Sequence, residues 1–226
     1  LHDALPIFIG DNYSLLQVMS RFGLSLGFGD KTVKEVCEMN NVDCQTFLVV
    51  VNFMAEGFSR MDGSADDISI PALVDYLRQA HIYFLDYCLP AIRRKLIEAI
   101  DCSQDDVSFL ILKFFDGYMR EVRKHMEYEE KTVFKYVDTL IHGNAPKNYQ
   151  ISTFSKHHDQ VGERLTELKN IIIKYCPAKA NTNVLNAALF DIYACEEGLE
   201  SHCKVEDYPF VPAILKLERR MRENEK

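Results

Sequence analysis

Apolar residues recur every three or four positions along most of this chain, the period of an α-helix buried on one face. The clearest run is Ile151, Phe154, His158, Val161, Leu165, Leu168 and Ile172, with steps alternating between three and four. It predicts a helix from about Ser152 to Tyr175, ended by Pro177. Similar stripes predict helices from about Pro71 to Ala99, from Gln104 to His142, and from Asn183 beyond His202. Pro71 suits a first turn, where its missing N–H costs nothing. Pro90 falls inside the first of these and is expected to kink or split it. Gly143-Asn144-Ala145-Pro146 stops the second, and Pro209 and Pro212 are expected to interrupt the last before a charged helical stretch. Four long helices with short connections predict an all-α, antiparallel four-helix bundle. The Val49-Val50-Val51 run is short and lies in a helical pattern, so no strand competes.

Three shorter patterns precede the bundle, near 13–22, 31–40 and 44–57. Ser14 and Asp30 are the expected N-caps of the first two. Gly23, Gly27 and Gly29 punctuate the chain between them. Ser59-Arg60-Met61-Asp62-Gly63-Ser64-Ala65-Asp66-Asp67 has the composition of a linker. The expected organisation is a small three-helix domain over 8–58, a linker over 59–69, the bundle over 70–215 and a charged helical tail over 216–226.

Polar residues interrupt the apolar stripes at a fixed interval. His81 and His125 are 44 positions apart, as are His158 and His202; Glu129 and Glu206 follow four residues after the second histidine of each pair. H-x3-E sets both side chains on one helix face, one turn apart. A lone histidine on an apolar face is more often a satisfied core residue than a ligand, and a lone H-x3-E is a common surface pair. Four histidines on four core stripes, with two glutamates in register, are harder to explain that way. Two buried carboxylates need positive partners, and a pair of metal ions supplies them. Imidazole with carboxylate suits iron, with manganese and zinc as alternatives. The candidate ligands are His81, His125, Glu129, His158, His202 and Glu206. Glu121, one turn before His125, is either a carboxylate supporting the ligands or a solvated charge. His142 is expected to cap a helix C-terminus, and His157 to point about 100° away from His158. A metal-free structural bundle is the plain alternative.

Charge and cysteines narrow the setting. A net charge of −8, from 26 basic and 34 acidic residues, argues against a broad phosphate-binding surface, so no nucleic-acid partner is expected. No run of about 18–20 apolar residues is present, and no membrane partner is expected. Seven cysteines with no C-x2-C pair indicate neither a disulfide framework nor a zinc ribbon, which points to a reducing cytoplasm. They are not at helical ligand spacing, which disfavours an iron–sulfur cluster. The opening residues lack a signal peptide's apolar stretch and begin without Met.

His125-Met126-Glu127-Tyr128-Glu129-Glu130-Lys131-Thr132-Val133-Phe134 resembles the H-x-x-x-E-E-x-x-x-F stretch of hemerythrin-like HHE domains. His158-Asp159 is similar to their H-D element, His202-Cys203-Lys204-Val205-Glu206 to their second H-x-x-x-E, and His81 to their first-helix ligand. The arrangement looks most like the RIC family, the di-iron proteins for repair of iron–sulfur centres. The resemblance covers about residues 70–215, and residues 8–58 look like that family's small helical domain. It departs at one point: where the family carries a Cys-Cys-Gly-Gly turn, this chain has Gly27-Phe28-Gly29-Asp30. The resemblance implies a carboxylate- and oxo-bridged pair of irons, one held by His81 and His125, the other by His158 and His202, with Glu129 and Glu206 bridging. It implies repair of iron–sulfur clusters or defence against nitric oxide and oxidants. NO or O2 would be the small ligand, iron–sulfur proteins the recipients of iron, and a homodimer a possible assembly. The second reading is an O2 or NO sensor whose bundle signals to a partner, or through its charged C-terminal stretch to a DNA-binding output domain.

Overall fold

Helix starts in the N-terminal region are set by side chains that can accept the first free backbone N–H groups. The computed structural model describes residues 9–10, 12–56, 68–100, 106–144, 149–156, 161–177 and 180–224. Helix α1 spans Leu15–Arg21, α2 Val33–Met39 and α3 Cys44–Glu56. Ser14 stands at the expected N-cap position of α1, and the second cap is corrected. Ser14 makes no side-chain capping bond; Asn12 Oδ1 instead accepts from the Ser14 N–H at 3.2 Å and from its hydroxyl at 2.6 Å. Thr32, not Asp30, caps α2, in a reciprocal box with Glu35. Gly23, Gly27 and Gly29 all have positive φ, the backbone region that favours glycine.

The described residues form no strand, and the long elements are helices. They are α4 (Ile70–Ile82) running on through a π segment (Tyr83–Cys88) into α5 (Leu89–Ala99), then α6 (Asp106–Tyr128) through a second π segment (Glu129–Val133) into α7 (Phe134–Ile141). A 3-10 turn (Ile151–Lys156) and α8 (Val161–Tyr175) follow. Helix α9 (Thr182–Val205) runs through a third π segment (Glu206–Phe210) into α10 (Val211–Asn224). Pro90 and Pro209 therefore do not end their helices; the expected interruption takes the form of a π segment beside or around each. Pro90 lies just after the first π segment and Pro209 within the third, while Pro212 takes the second position of α10. A π turn loosens the hydrogen-bond ladder locally, so a residue without an N–H can be accommodated. The 59–67 part of the expected linker lies outside the described residues.

The chain divides into two compact units. One comprises residues 1–80, 136–152 and 204–226. In it α3 packs on α1 and α2. Phe22 sits against Phe47 and Tyr76, with ring centroids at 5.4 and 4.9 Å. Buried Glu218 of α10 accepts from the Tyr136 hydroxyl at 2.6 Å and from the Ile151 N–H at 3.0 Å, so its carboxylate is satisfied away from water.

The other unit comprises residues 81–135 and 153–203, and here four helical stretches form an antiparallel bundle. Phe84, Leu89, Ile92 and Leu96 from the first face Phe115, Tyr118, Val122 and Met126 of α6, Leu165 and Leu168 of α8, and Ile192 and Leu199 of α9, all buried. Each such side chain stabilises the fold by roughly 1.5–3 kcal/mol relative to exposure. A cross-helix ion pair joins every neighbouring pair of helices. Arg93 grips Asp116 with two bonds of 2.6 and 3.2 Å. Arg164 pairs with Glu121, Lys169 with Glu196, and Lys95 with Asp191 at 2.5 Å. They run from α5 to α6, α8 and α9 and back to α5.

Candidate metal centre

Three of the helices carry site residues at the places where they open into π turns. His81 lies two residues before the first π segment, Glu129 begins the second and Glu206 begins the third. A π turn widens the helix by about one residue and often marks a functional position. Here it lets a side chain swing toward the bundle interior without disturbing the apolar stripes on either side.

His81, Glu129, His202 and Glu206 are buried, with relative exposures of 3%, 0%, 1% and 0%. Each offers one ligand atom, and these atoms lie within 4.8 Å of one another. Glu206 reaches the group because it stands one turn beyond His202 on the same uninterrupted helix. Glu129 is the hub. Its Oε2 is 2.9 Å from His81 Nε2 and 4.0 Å from His202 Nε2, and its Oε1 is 2.8 Å from His125 Nε2. The imidazoles are packed by rings: Phe134 stacks on His81 at 5.5 Å, and His202 meets His81 edge-on at 5.2 Å and Phe84 at 6.1 Å.

The short distance between His81 Nε2 and Glu129 Oε2 is not matched by hydrogen-bonding angles, and neither atom makes a hydrogen bond. Lone pairs crowd together without a proton aligned between them, which is how ligand atoms converge on a cation. Electrostatics agree. Burial pushes the Glu129 carboxyl up, but the His125, His202 and His81 imidazoles outweigh it and hold Glu129 well below the usual carboxylate range. Burial pushes His81 down, and the Glu129 and Glu130 carboxylates more than reverse this, so its pKa is raised. Nitrogen and carboxylate donors of this kind suit iron, manganese or zinc. The residues present fit a bound cation.

The other sequence candidates fare differently. His125 is half-buried and touches Glu129, but it is not in the four-residue group. His158 lies outside the described residues, as does His157. Glu121 is exposed and pairs with Arg164 across the helices, so no contact to the histidines is seen for it. His142 Nδ1 meets the Asp138 carbonyl at 2.8 Å at the end of α7, the expected C-terminal position. Phe115 and Tyr118 are the buried aromatics of α6, while Phe114 lies under the Arg164 guanidinium at 5.2 Å. Sequence reasoning missed Glu130 and Phe134 as groups that hold His81. Both lie in the quoted H-x-x-x-E-E-x-x-x-F stretch, but spacing does not tell which of two adjacent glutamates faces which ring nitrogen.

Cys88 and Cys195 of the bundle are buried, and all described cysteines are free thiols. A hydrogen bond with Cys88, together with burial, pushes the Cys195 thiol well up, so it stays neutral and is a poor metal ligand. No described helix is long and apolar enough to cross a membrane.

No curated protein matches the chain. The hemerythrin HHE cation-binding domain family matches it over residues 72–214, which takes in His81, Glu129, His202 and Glu206. With most of its length matched and a buried His/Glu cluster at its centre, the chain belongs to the hemerythrin HHE cation-binding domain family.

Proposed function

We propose that this chain is a non-haem di-iron protein of the RIC type, acting in the repair of iron–sulfur clusters or in the response to nitric oxide and oxidative stress. The observation that carries the reading is the shared Glu129 carboxylate. Its two oxygens lie among three histidines of three helices, Oε2 near His81 and His202 and Oε1 near His125, a sorting that differs from the expected pairing of His81 with His125. The proposed ligands are His81, His125, Glu129, His158, His202 and Glu206. When bound, an iron pair with open positions supplies the capacity to bind and reduce small diatomics such as NO or O2. The chain's own part is to orient the imidazoles by ring packing, to exclude water with Phe84 and Phe134, and to hold Glu129 ionised.

Iron analysis of protein purified without oxygen, with an optical spectrum after exposure to air, tests the metal claim. About two irons per chain and oxo-to-iron charge-transfer bands are expected for such a bundle site. Far less iron than chain, with no such bands, would overturn it. Sensing is the second reading, favoured by Gly27-Phe28-Gly29-Asp30, a turn with no thiol for handling iron or electrons. Transfer of iron to a metal-free cluster protein supports repair. A stable NO adduct with no such transfer supports sensing.

A further inference from the structure

Two adjacent carboxylates meet one imidazole. His81 Nε2 faces Glu129 Oε2 at 2.9 Å, and His81 Nδ1 is 2.9 Å from Glu130 Oε1. Consecutive residues of an α-helix point about 100° apart; these two do so at the start of a π segment and bracket the ring from its two nitrogens. The two contacts differ in kind. Only the one to Glu130 has hydrogen-bonding geometry. The carboxylates differ too: the Glu129 side chain is 0% exposed and that of Glu130 37%. A carboxylate oxygen accepts, and Glu130 Oε1 meets Nδ1 in hydrogen-bonding geometry. The ring nitrogen that meets it must therefore carry the proton. A neutral imidazole has one N–H, so Nε2 is left with its lone pair toward Glu129. Phe134, stacked with its plane 12° from that of His81, hinders the ring from turning over.

We propose that Glu130 is the positioning residue of the metal centre: it takes the Nδ1–H of His81 and fixes the tautomer in which Nε2 is presented to the cation. A carboxylate behind a metal-bound histidine sets ring orientation and raises ligand basicity, and losing it typically weakens metal binding roughly 10–100-fold. The inference rests on the cation-binding reading of the His81, Glu129, His202 and Glu206 group. It adds a residue that lies outside that group.

The test compares wild type, Glu130→Ala and Glu130→Gln, with Co(II) as probe and a competing chelator to measure affinity. Glu130→Ala is expected to bind Co(II) roughly 10–100-fold more weakly. Glu130→Gln keeps an oxygen that accepts from Nδ1 and is expected to recover most of that loss. The second readout needs no metal. In metal-free protein at alkaline pH, 15N NMR of the His81 ring should place the proton on Nδ1 in wild type and Glu130→Gln. In Glu130→Ala that preference should be lost, a change that mere loosening of the bundle would not give. Wild-type affinity in Glu130→Ala, or an unchanged His81 tautomer, overturns the inference while leaving the metal centre standing. A wild-type protein that takes up no Co(II) overturns the metal centre itself, and the inference with it.

Discussion

Glu129 and Glu206 have no exposure to water, and a carboxylate so placed is costly unless something positive meets it. For Glu129 the positive partner in metal-free protein is a protonated His81, whose pKa it raises; in the loaded protein it is the cation. Proton and cation compete for the same nitrogens. Because His81 has a raised pKa, its proton is held to a higher pH than in a free imidazole, whose value is 6.5. Acidification should therefore begin to weaken metal binding above pH 6.5, not at or below it. Metal affinity measured against pH checks this; a fall confined to pH values below 6 would show that the carboxylates do not act on His81 in this way. The inward placement of His81, Glu129, His202 and Glu206 was legible in the sequence, because each interrupts an apolar stripe at helical spacing. His125 sits on the shoulder of its stripe, and period alone does not separate a half-buried position from a buried one.

At the scale of the helix, the bundle helices were legible within a few residues at their ends, except that a 3-10 turn (Ile151–Lys156) stands where the third was expected to begin, and the π turns were not legible. A trace of them is there. Phe84, Cys88, Ile92 and Leu96 are all buried at successive steps of four, as are His202, Glu206, Phe210, Ile214 and Glu218. A plain α-helix drifts off its face under repeated steps of four, whereas a π turn brings it back. The prolines were legible as irregularities but read as breaks, since a missing N–H ends an ordinary helix and only a locally widened one absorbs it. Close packing beside the site leads to a prediction. A Cβ at Gly198 would lie 3.3 Å from Phe84, whose ring borders His202. Gly198→Val should destabilise by about 1–3 kcal/mol through overpacking. It should also weaken Co(II) binding, because a displaced Phe84 ring disturbs its edge contact with His202. Denaturant unfolding and metal titration check both; a stable variant with normal affinity would show that the ring yields freely.

For the molecule as a whole, the bundle class followed from four amphipathic stripes. One of the two compact units draws on segments from both ends and the middle of the chain. Which segments pack together depends on three-dimensional neighbours that no local pattern encodes. A cation bound only by folded chain adds its binding free energy to stability. At free metal about 100 times its Kd, the gain is about 2.7 kcal/mol. A chelator should lower the melting temperature of loaded protein, and added metal should restore it. A melting temperature indifferent to both would mean that the cluster contributes nothing to the folded state as a ligand site.

The π segment at Glu129–Val133 has a genetic corollary. Such turns are what a one-residue insertion leaves behind in a helix whose two flanks must keep their packing. Excising an exposed residue such as Lys131 should restore an uninterrupted α-helix, with both flanks still seated. The deletion variant is expected to fold, by circular dichroism and cooperative unfolding, and to bind metal poorly. A variant that fails to fold would refute this. On this account the extra residue is a cost the bundle carries for its cation, and its loss would leave a sound protein with nothing to hold.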